Sequence, residues 1–185
     1  MNGKHTGLIS LGVLLLAATG CQSQSVSGQA AAEPAKAVIQ SSIVNGTGQT
    51  IGKATLMEQP GGVRIQMEVK GISPGVHGFH IHEVGKCEGP DFTSAGAHFN
   101  PLDKKHGLLS MAGPHAGDMP NLVAAADGSA NADWLLSGVT LAPGKPNSLL
   151  KEGGTSLMIH EKADDGMTDP SGNSGARIAC GVIRR

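Results

Sequence analysis

The chain has 185 residues, a formal net charge of −1, 28 glycines, no tyrosine and only 2% aromatic residues. That length accommodates one domain plus an N-terminal extension, and without a basic block nothing points to a nucleic-acid surface. The glycine content favours a turn-rich β protein over a helical one. Histidine breaks the bland composition, because seven of the eight fall between His77 and His160.

The N-terminus reads as a targeting segment over residues 1–21. Lys4 and His5 precede an apolar run from Leu8 to Ala18, followed by Thr19-Gly20-Cys21. The run is too short to span a bilayer as a mature helix and reads as a signal-peptide core. Small residues before a cysteine resemble a bacterial lipoprotein processing site, although Ala18 stands where such sites usually carry Leu. Cys21 is therefore the expected attachment point for membrane lipid, and an ordinary cleaved secretory peptide is the alternative. The protein is expected outside the cytoplasm, anchored at the cell surface or in the periplasm. Residues 22–35, rich in Gln, Ser and Ala, read as a flexible linker. With Cys21 lipidated, Cys87 and Cys180 remain as a pair that an exported protein would normally oxidise, two buried free thiols being the alternative.

The folded part is expected from residue 36 to 185. Ala37–Val44 is a β-type run ended by Asn45-Gly46, and Gln49–Glu58 is a second, closed by Pro60-Gly61-Gly62. Val63, Ile65, Met67 and Val69 alternate with Arg64, Gln66, Glu68 and Lys70, the pattern of a half-buried strand. Ser73-Pro74-Gly75 turns the chain into His77-Gly-Phe-His-Ile-His82. In a strand His80 and His82 share one face and Ile81 takes the other. Two imidazoles on one face of a rigid strand make half of a metal site, and imidazole suits copper and zinc. Strand patterning then stops between Gly85 and Pro120. So long a loop in a compact domain is usually functional or disordered, and Cys87, His98, His106, His115 and Asp118 within it favour function. Leu122–Ala126 and Ala130–Leu136 form a hairpin around Asp127-Gly128. Trp134 reads as a packing residue. Leu149-Leu150 is expected to form a helical turn inside a connecting loop. Thr155–Glu161 and Arg177–Ile183 are the last two strands. About eight short strands with turn signals imply an all-β fold, an antiparallel sandwich or barrel.

His80, His82, His98, His106, His115, Asp118 and His160 exceed the needs of one four-coordinate ion. They fill two such sites if one residue is shared. An imidazole has two ring nitrogens and can be that residue, but spacing leaves open which histidine it is.

Six segments resemble the copper/zinc superoxide dismutase family: Gly-Phe-His-Ile-His-Glu (78–83), Gly-Ala-His-Phe-Asn-Pro (96–101), Lys-His-Gly (105–107), His-Ala-Gly-Asp (115–118), His-Glu-Lys-Ala-Asp-Asp (160–165) and Gly-Ala-Arg-Ile-Ala-Cys-Gly-Val-Ile (175–183). The resemblance runs in consistent order from about residue 37 to 183. It implies an eight-stranded antiparallel Greek-key β-sandwich or barrel of immunoglobulin-like architecture. It implies one copper ion held by His80, His82, His98 and His160, and one zinc ion held by His98, His106, His115 and Asp118, with His98 bridging. It implies that Asp164 orients His80 and His106, that His77 is structural, and that Cys87 and Cys180 form the intrasubunit disulfide. It also implies that Arg177 attracts the superoxide anion and that His98 donates a proton. The implied reaction is dismutation of superoxide to oxygen and hydrogen peroxide. A non-catalytic copper-buffering lipoprotein is the alternative and would show a lost ligand or a lost arginine. The segment 166–174 looks shorter than the charged guiding loop of eukaryotic members and lacks lysine, so Arg177 is expected to carry most of the steering. The resemblance allows a monomer or a homodimer.

Overall fold

A computed structural model describes residues 1–3 and 38–185. Residues 4–37, which carry the core of the expected signal segment, Cys21, the expected linker and the first residues of the expected domain, lie outside the described residues. Nine strands follow in order: β1 Val38–Asn45, β2 Thr50–Gln59, β3 Gly62–Val69, β4 Gly75–His77, β5 Phe79–His82, β6 Leu122–Ala124, β7 Ala130–Ser137, β8 Thr155–His160 and β9 Arg177–Ile183. Among the described residues the one helical element is a 3-10 turn at Thr93–Ala95.

All nine strands join one antiparallel sheet in the order β4-β6-β7-β3-β2-β1-β9-β8-β5. The two terminal strands of that order are neighbours in sequence, separated only by Gly78, so the sheet curls into a nearly closed barrel. This explains why there are nine strands and not eight. The expected histidine strand is split at Gly78, β4 pairing with β6 and β5 with β8. A side chain at Gly78 would run into Ser174 and the His80 ring, so the corner requires glycine.

The interior is built by period-two alternation. In β3, Val63, Ile65, Met67 and Val69 are buried while Arg64, Gln66 and Glu68 are exposed. Each such burial contributes about 1.5–3 kcal/mol. Phe79, Ile81, Leu157 and Ile159 join the same core, and Trp134 packs half-buried on Phe79 with ring centroids 5.5 Å apart. Asn45 organises the β1–β2 turn: its Oδ1 accepts the backbone N–H groups of Thr47 (3.1 Å) and Gln49 (3.0 Å), the Asx chemistry that makes Asn a turn residue. Leu149 and Leu150 form no helix. Thr140 and Ser148 bridge across the loop and the Leu149 N–H donates to Thr140 O at 2.9 Å, which occupies the backbone groups a helical turn would use.

A second, smaller core of Phe92, Ala95, Met158 and Cys180 lies beneath the loop that follows β5. A disulfide joins Cys87 in that loop to Cys180 in β9 across 93 residues. On the chain-entropy account, a closed loop of that length restricts the unfolded chain by about 4–5 kcal/mol.

Candidate metal centre

β5 is the last strand of the sheet, so one of its edges is open to pairing, and the long loop takes it. Ile81 N–H donates to Gly117 O (2.8 Å) and Phe99 N–H to Ile81 O (2.8 Å). These bonds set His82 opposite His98 and His80 opposite Asp118 as cross-strand bridges. On the other edge, β8 ends at His160, whose N–H donates to Gly78 O at 2.8 Å. The β8–β9 register places Arg177 opposite His160. Three backbone segments thus deliver side chains to one place, with Ile81 pointing into the core as alternation requires.

Two donor clusters result. His80, His82, His98 and His160 bring one nitrogen each within 4.8 Å of one another, as do His98, His106, His115 and Asp118 with their ligand atoms. All seven residues are buried. The hydrogen bonds of the opposite ring atoms set the tautomers. His82 Nδ1 donates to Gly96 O (3.0 Å) and His160 Nδ1 to Gly175 O (3.3 Å), which leaves their Nε2 lone pairs facing each other at 3.4 Å. His80 Nε2 donates to Asp164 Oδ2 at 2.6 Å and leaves Nδ1 free. The buried atoms His80 Nδ1, His98 Nε2 and His106 Nδ1 have no hydrogen-bond partner. Leaving such an atom unsatisfied costs about 1–3 kcal/mol, so the two that face the first cluster, His80 Nδ1 and His98 Nε2, and the one in the second, His106 Nδ1, point to a ligand at each cluster.

The second cluster has the dimensions of a tetrahedron. Asp118 Oδ1 lies 2.9 Å from His98 Nδ1, 3.2 Å from His106 Nδ1 and 3.3 Å from His115 Nδ1, and the His98 and His115 Nδ1 atoms are 3.5 Å apart. Bonds of 2.0–2.1 Å to a tetrahedral ion give edges of about 3.3 Å. Asp118 Oδ2 is occupied separately, accepting the N–H groups of Gly107 (2.8 Å) and His115 (3.0 Å), which aims Oδ1 at the three imidazoles. Three nitrogens and a carboxylate fit zinc, and four imidazoles fit copper.

Electrostatics favour the neutral form of His82, His98 and His160 and the charged form of His106 in the metal-free chain. Burial, reinforced by neighbouring imidazoles, pushes His82 down to about 2 and His160 to about 3. Burial also pushes His98 down to about 4, against the pull of the Asp118 hydrogen bond. Burial lowers His106 too, but its bonds to Asp118 and Asp164 outweigh this and hold it up at about 9. Asp118 and Asp164 run against burial in the same way, their histidine partners holding both carboxyls far below the ordinary carboxylate range.

Outer partners fix the clusters. Asp164 spans both, through His80 Nε2 and through His106 Nε2 at 3.0 Å. Asp164 is itself held by Asn121, which accepts its N–H (2.9 Å) and donates to its carbonyl (2.8 Å). Sequence reasoning missed Asn121, since an isolated Asn after a loop carries no distinguishing pattern. It also missed Asp169, which accepts the His106 N–H at 2.9 Å and pairs with Lys105 at 3.1 Å. The Arg177 guanidinium donates to Phe92 O and Gly96 O, both at 2.7 Å. Gly96 O thus joins Arg177 to His82. His77 stands outside both clusters, its ring nitrogens facing the carbonyls of His160 (2.7 Å) and Ser73 (2.8 Å).

An antiparallel barrel with two histidine-rich clusters meeting at one shared imidazole defines a two-metal β-barrel protein. The family model for copper/zinc superoxide dismutase matches residues 50–183. The chain is 54% identical over 143 residues to superoxide dismutase [Cu-Zn] 1 of Aquifex aeolicus, covering 77% of this chain and 85% of that protein. Its fold is similar to a crystal structure of a SOD-like protein from Bacillus subtilis in which a tyrosine and a proline are both replaced by histidine (TM-score 0.77, 44% identity, 79% of this chain and 97% of that one). It is also similar to the Cu/Zn superoxide dismutase of Brucella abortus (TM-score 0.65, 30% identity, 80% of this chain and 99% of that one). The chain belongs to the copper/zinc superoxide dismutase family.

Proposed function

We propose that the chain dismutates superoxide with copper held by His80, His82, His98 and His160 and zinc held by His98, His106, His115 and Asp118. Copper supplies one-electron redox chemistry there and zinc supplies none. One superoxide gives up an electron and leaves as oxygen, and a second gains an electron and two protons and leaves as hydrogen peroxide. Arg177 draws the anion in. Burial lowers its pKa, but a guanidinium stays charged at every relevant pH. Its two carbonyl partners hold it against the loop that carries His98, and β9 pairs Arg177 with His160. His98 is the residue suited to hold a proton at Nε2, its Nδ1 being fixed by the second cluster. Asp164 keeps the His80 and His106 rings in the tautomers that binding needs.

The observation that carries this reading is His98, whose two ring nitrogens belong to two separate clusters. The test is superoxide decay catalysed by the chain loaded with copper and zinc. Decay that scales with bound copper is expected. No decay at full copper occupancy would overturn the enzyme reading in favour of a copper-holding module.

The proposed route to its place of action is export with lipidation at Cys21 and residues 22–35 as a tether. The Cys87–Cys180 disulfide supports an oxidising compartment. Radiolabelled palmitate should enter the full chain but not Cys21→Ser; equal labelling of both would end the lipoprotein reading.

A further inference from the structure

β1 and β9 pair only at Ile43–Asn45 with Ala179–Gly181. Beyond that they splay, and a cavity of about 600 Å³ opens between Gln40, Ser41 and Ser42 on one side and Val182, Arg184 and Arg185 on the other, walled by Lys86 and the Cys87–Cys180 disulfide. The buried Ser41 hydroxyl lines it without a partner. A second cavity shares Arg184 and Arg185 and adds Lys151. Lys86, Lys151, Arg184 and Arg185 are all exposed. Glu88 is the one acidic side chain lining either cavity. Among the described residues none of these four cations has an ion-pair partner, whereas Lys53, Arg64 and Lys105 are paired. A chain of net charge −1 thus sets four cations around these two cavities against one acidic side chain.

That end is also where the domain meets its N-terminal extension. β1 and β9 run antiparallel, so the register that pairs Ile43 with Gly181 puts the start of β1 at the same end as Arg184 and Arg185, across the cavity. Arg177 and His160 lie at the opposite end of β9, about 20 Å from Ile183 along the strand. We infer that the face carrying Lys86, Lys151, Arg184 and Arg185 docks on the anionic phospholipid headgroups of the bilayer that holds Cys21, turning the Arg177 end away from the membrane. The inference rests on the lipoprotein reading above. Screening confines a charged face to about 8–10 Å of reach at physiological salt. On the tether reading, the 16 residues between Cys21 and Val38 reach about 20–24 Å, so that end visits the headgroup layer far more often than the opposite end does. Tethering supplies the high local concentration that a four-cation patch needs, so the patch sets orientation and the lipid sets retention.

The test uses the mature acylated chain, metal-loaded, on vesicles of phosphatidylcholine with or without phosphatidylglycerol, read by hydrogen–deuterium exchange. Segments 84–88, 149–154 and 181–185 should exchange several-fold more slowly on the anionic vesicles, and about 0.5 M salt should erase the difference. The Lys86→Gln, Lys151→Gln, Arg184→Gln, Arg185→Gln variant should lose that protection while keeping its superoxide decay rate. Absence of protection in the wild type, protection at the Arg177 end, or protection that survives in the variant would overturn the inference. So would equal protection by soluble polyphosphate, which would mean a general polyanion site. Flotation with vesicles after a high-salt wash reads the Cys21 anchor separately. A chain that washes off sinks the anchor reading. Docking is then read on the unanchored chain at millimolar lipid, where the same salt-sensitive protection is expected and its absence sinks the docking too.

Discussion

The β2–β3–β7 wall and the loop-built metal end are held together by different physics. The wall is a continuous ladder: β3 pairs residue for residue with β2 from Gly62 to Val69 and with β7 over the same span. Its polar contacts, such as Arg64 with Asp133 at 2.7 Å, sit on the exposed face and could be lost with little consequence. The metal end has few ladder bonds. Its shape depends on buried polar atoms that satisfy one another, on Asp164 and Asn121, and on one disulfide. The wall stands by burying apolar area and is indifferent to metal. The metal end buries histidines and carboxylates, whose desolvation must be balanced by hydrogen bonds and by ions.

The comparison can be broken most forcefully at the disulfide. Replacing Cys87 and Cys180 together by Ser should cost about 4–5 kcal/mol on the chain-entropy account, read by denaturant unfolding of the metal-loaded protein. It should also weaken metal retention, because the loop that the bridge secures carries His98. Retention unchanged alongside lost stability would show that the loop is positioned without its bridge. Next is Ile65→Ala, fully buried in the wall, expected to cost about 2–5 kcal/mol. The loss should be equal with and without metals. A loss that shrinks on metal loading would mean that the two regions are coupled.

Asp164→Asn attacks the metal end alone. It removes the charge shared by His80 and His106, and loss of such an outer partner lowers metal affinity about 10–100-fold, measured by competition with a chelator. Unfolding of the metal-free form should shift little by comparison. Arg177→Ala should leave metal content intact, slow turnover about tenfold and flatten its dependence on ionic strength. An unchanged rate and salt slope would show that steering lies elsewhere.

The smallest effect is that of pH on the metal-free protein. His82, His98 and His160 are held far below their unfolded pKa of about 6.5. Between pH 6.5 and 4 the unfolded chain binds protons that the folded chain refuses, so stability should fall as pH falls through that window. His106, raised to about 9, acts oppositely: its contribution is complete below pH 6.5 and is lost toward pH 9. Three groups against one predict a melting temperature that drops from pH 7 to 4.5. A flat or rising profile would contradict the neutral, buried state of these rings.

Strand patterning was legible wherever one face was wet. The alternation of Val63, Ile65, Met67 and Val69 announced β3, and His80 and His82 share a face because Ile81 needs the core. The hairpin at Asp127-Gly128 was legible from its turn residues, and there Asp127 accepts the Ser129 N–H at 2.9 Å. The break at Gly78 was not, since only the pairing of β4 and β5 with different partners reveals it. Asn121 and Asp169 were invisible for the same reason. Their partners lie 43 and 63 residues away, and a single Asn or Asp in a polar stretch says nothing of a distant backbone.

By itself the sequence determined which residue types were available and which face of each strand they occupy, because side-chain periodicity is a local property of the backbone. It thereby specified seven donors, the apolar faces of the strands and a β fold. Tertiary structure alone decided which imidazole stands between two clusters, because that depends on register across the open edge of β5, where long-range pairing puts His98 beside His82. It also decided where Arg177 is held, through the carbonyls of Phe92 and Gly96, and that Lys86, Lys151, Arg184 and Arg185, without ion-pair partners among the described residues, gather around two adjoining cavities. Each of these is set by contacts between segments far apart in the chain, where no local pattern reaches.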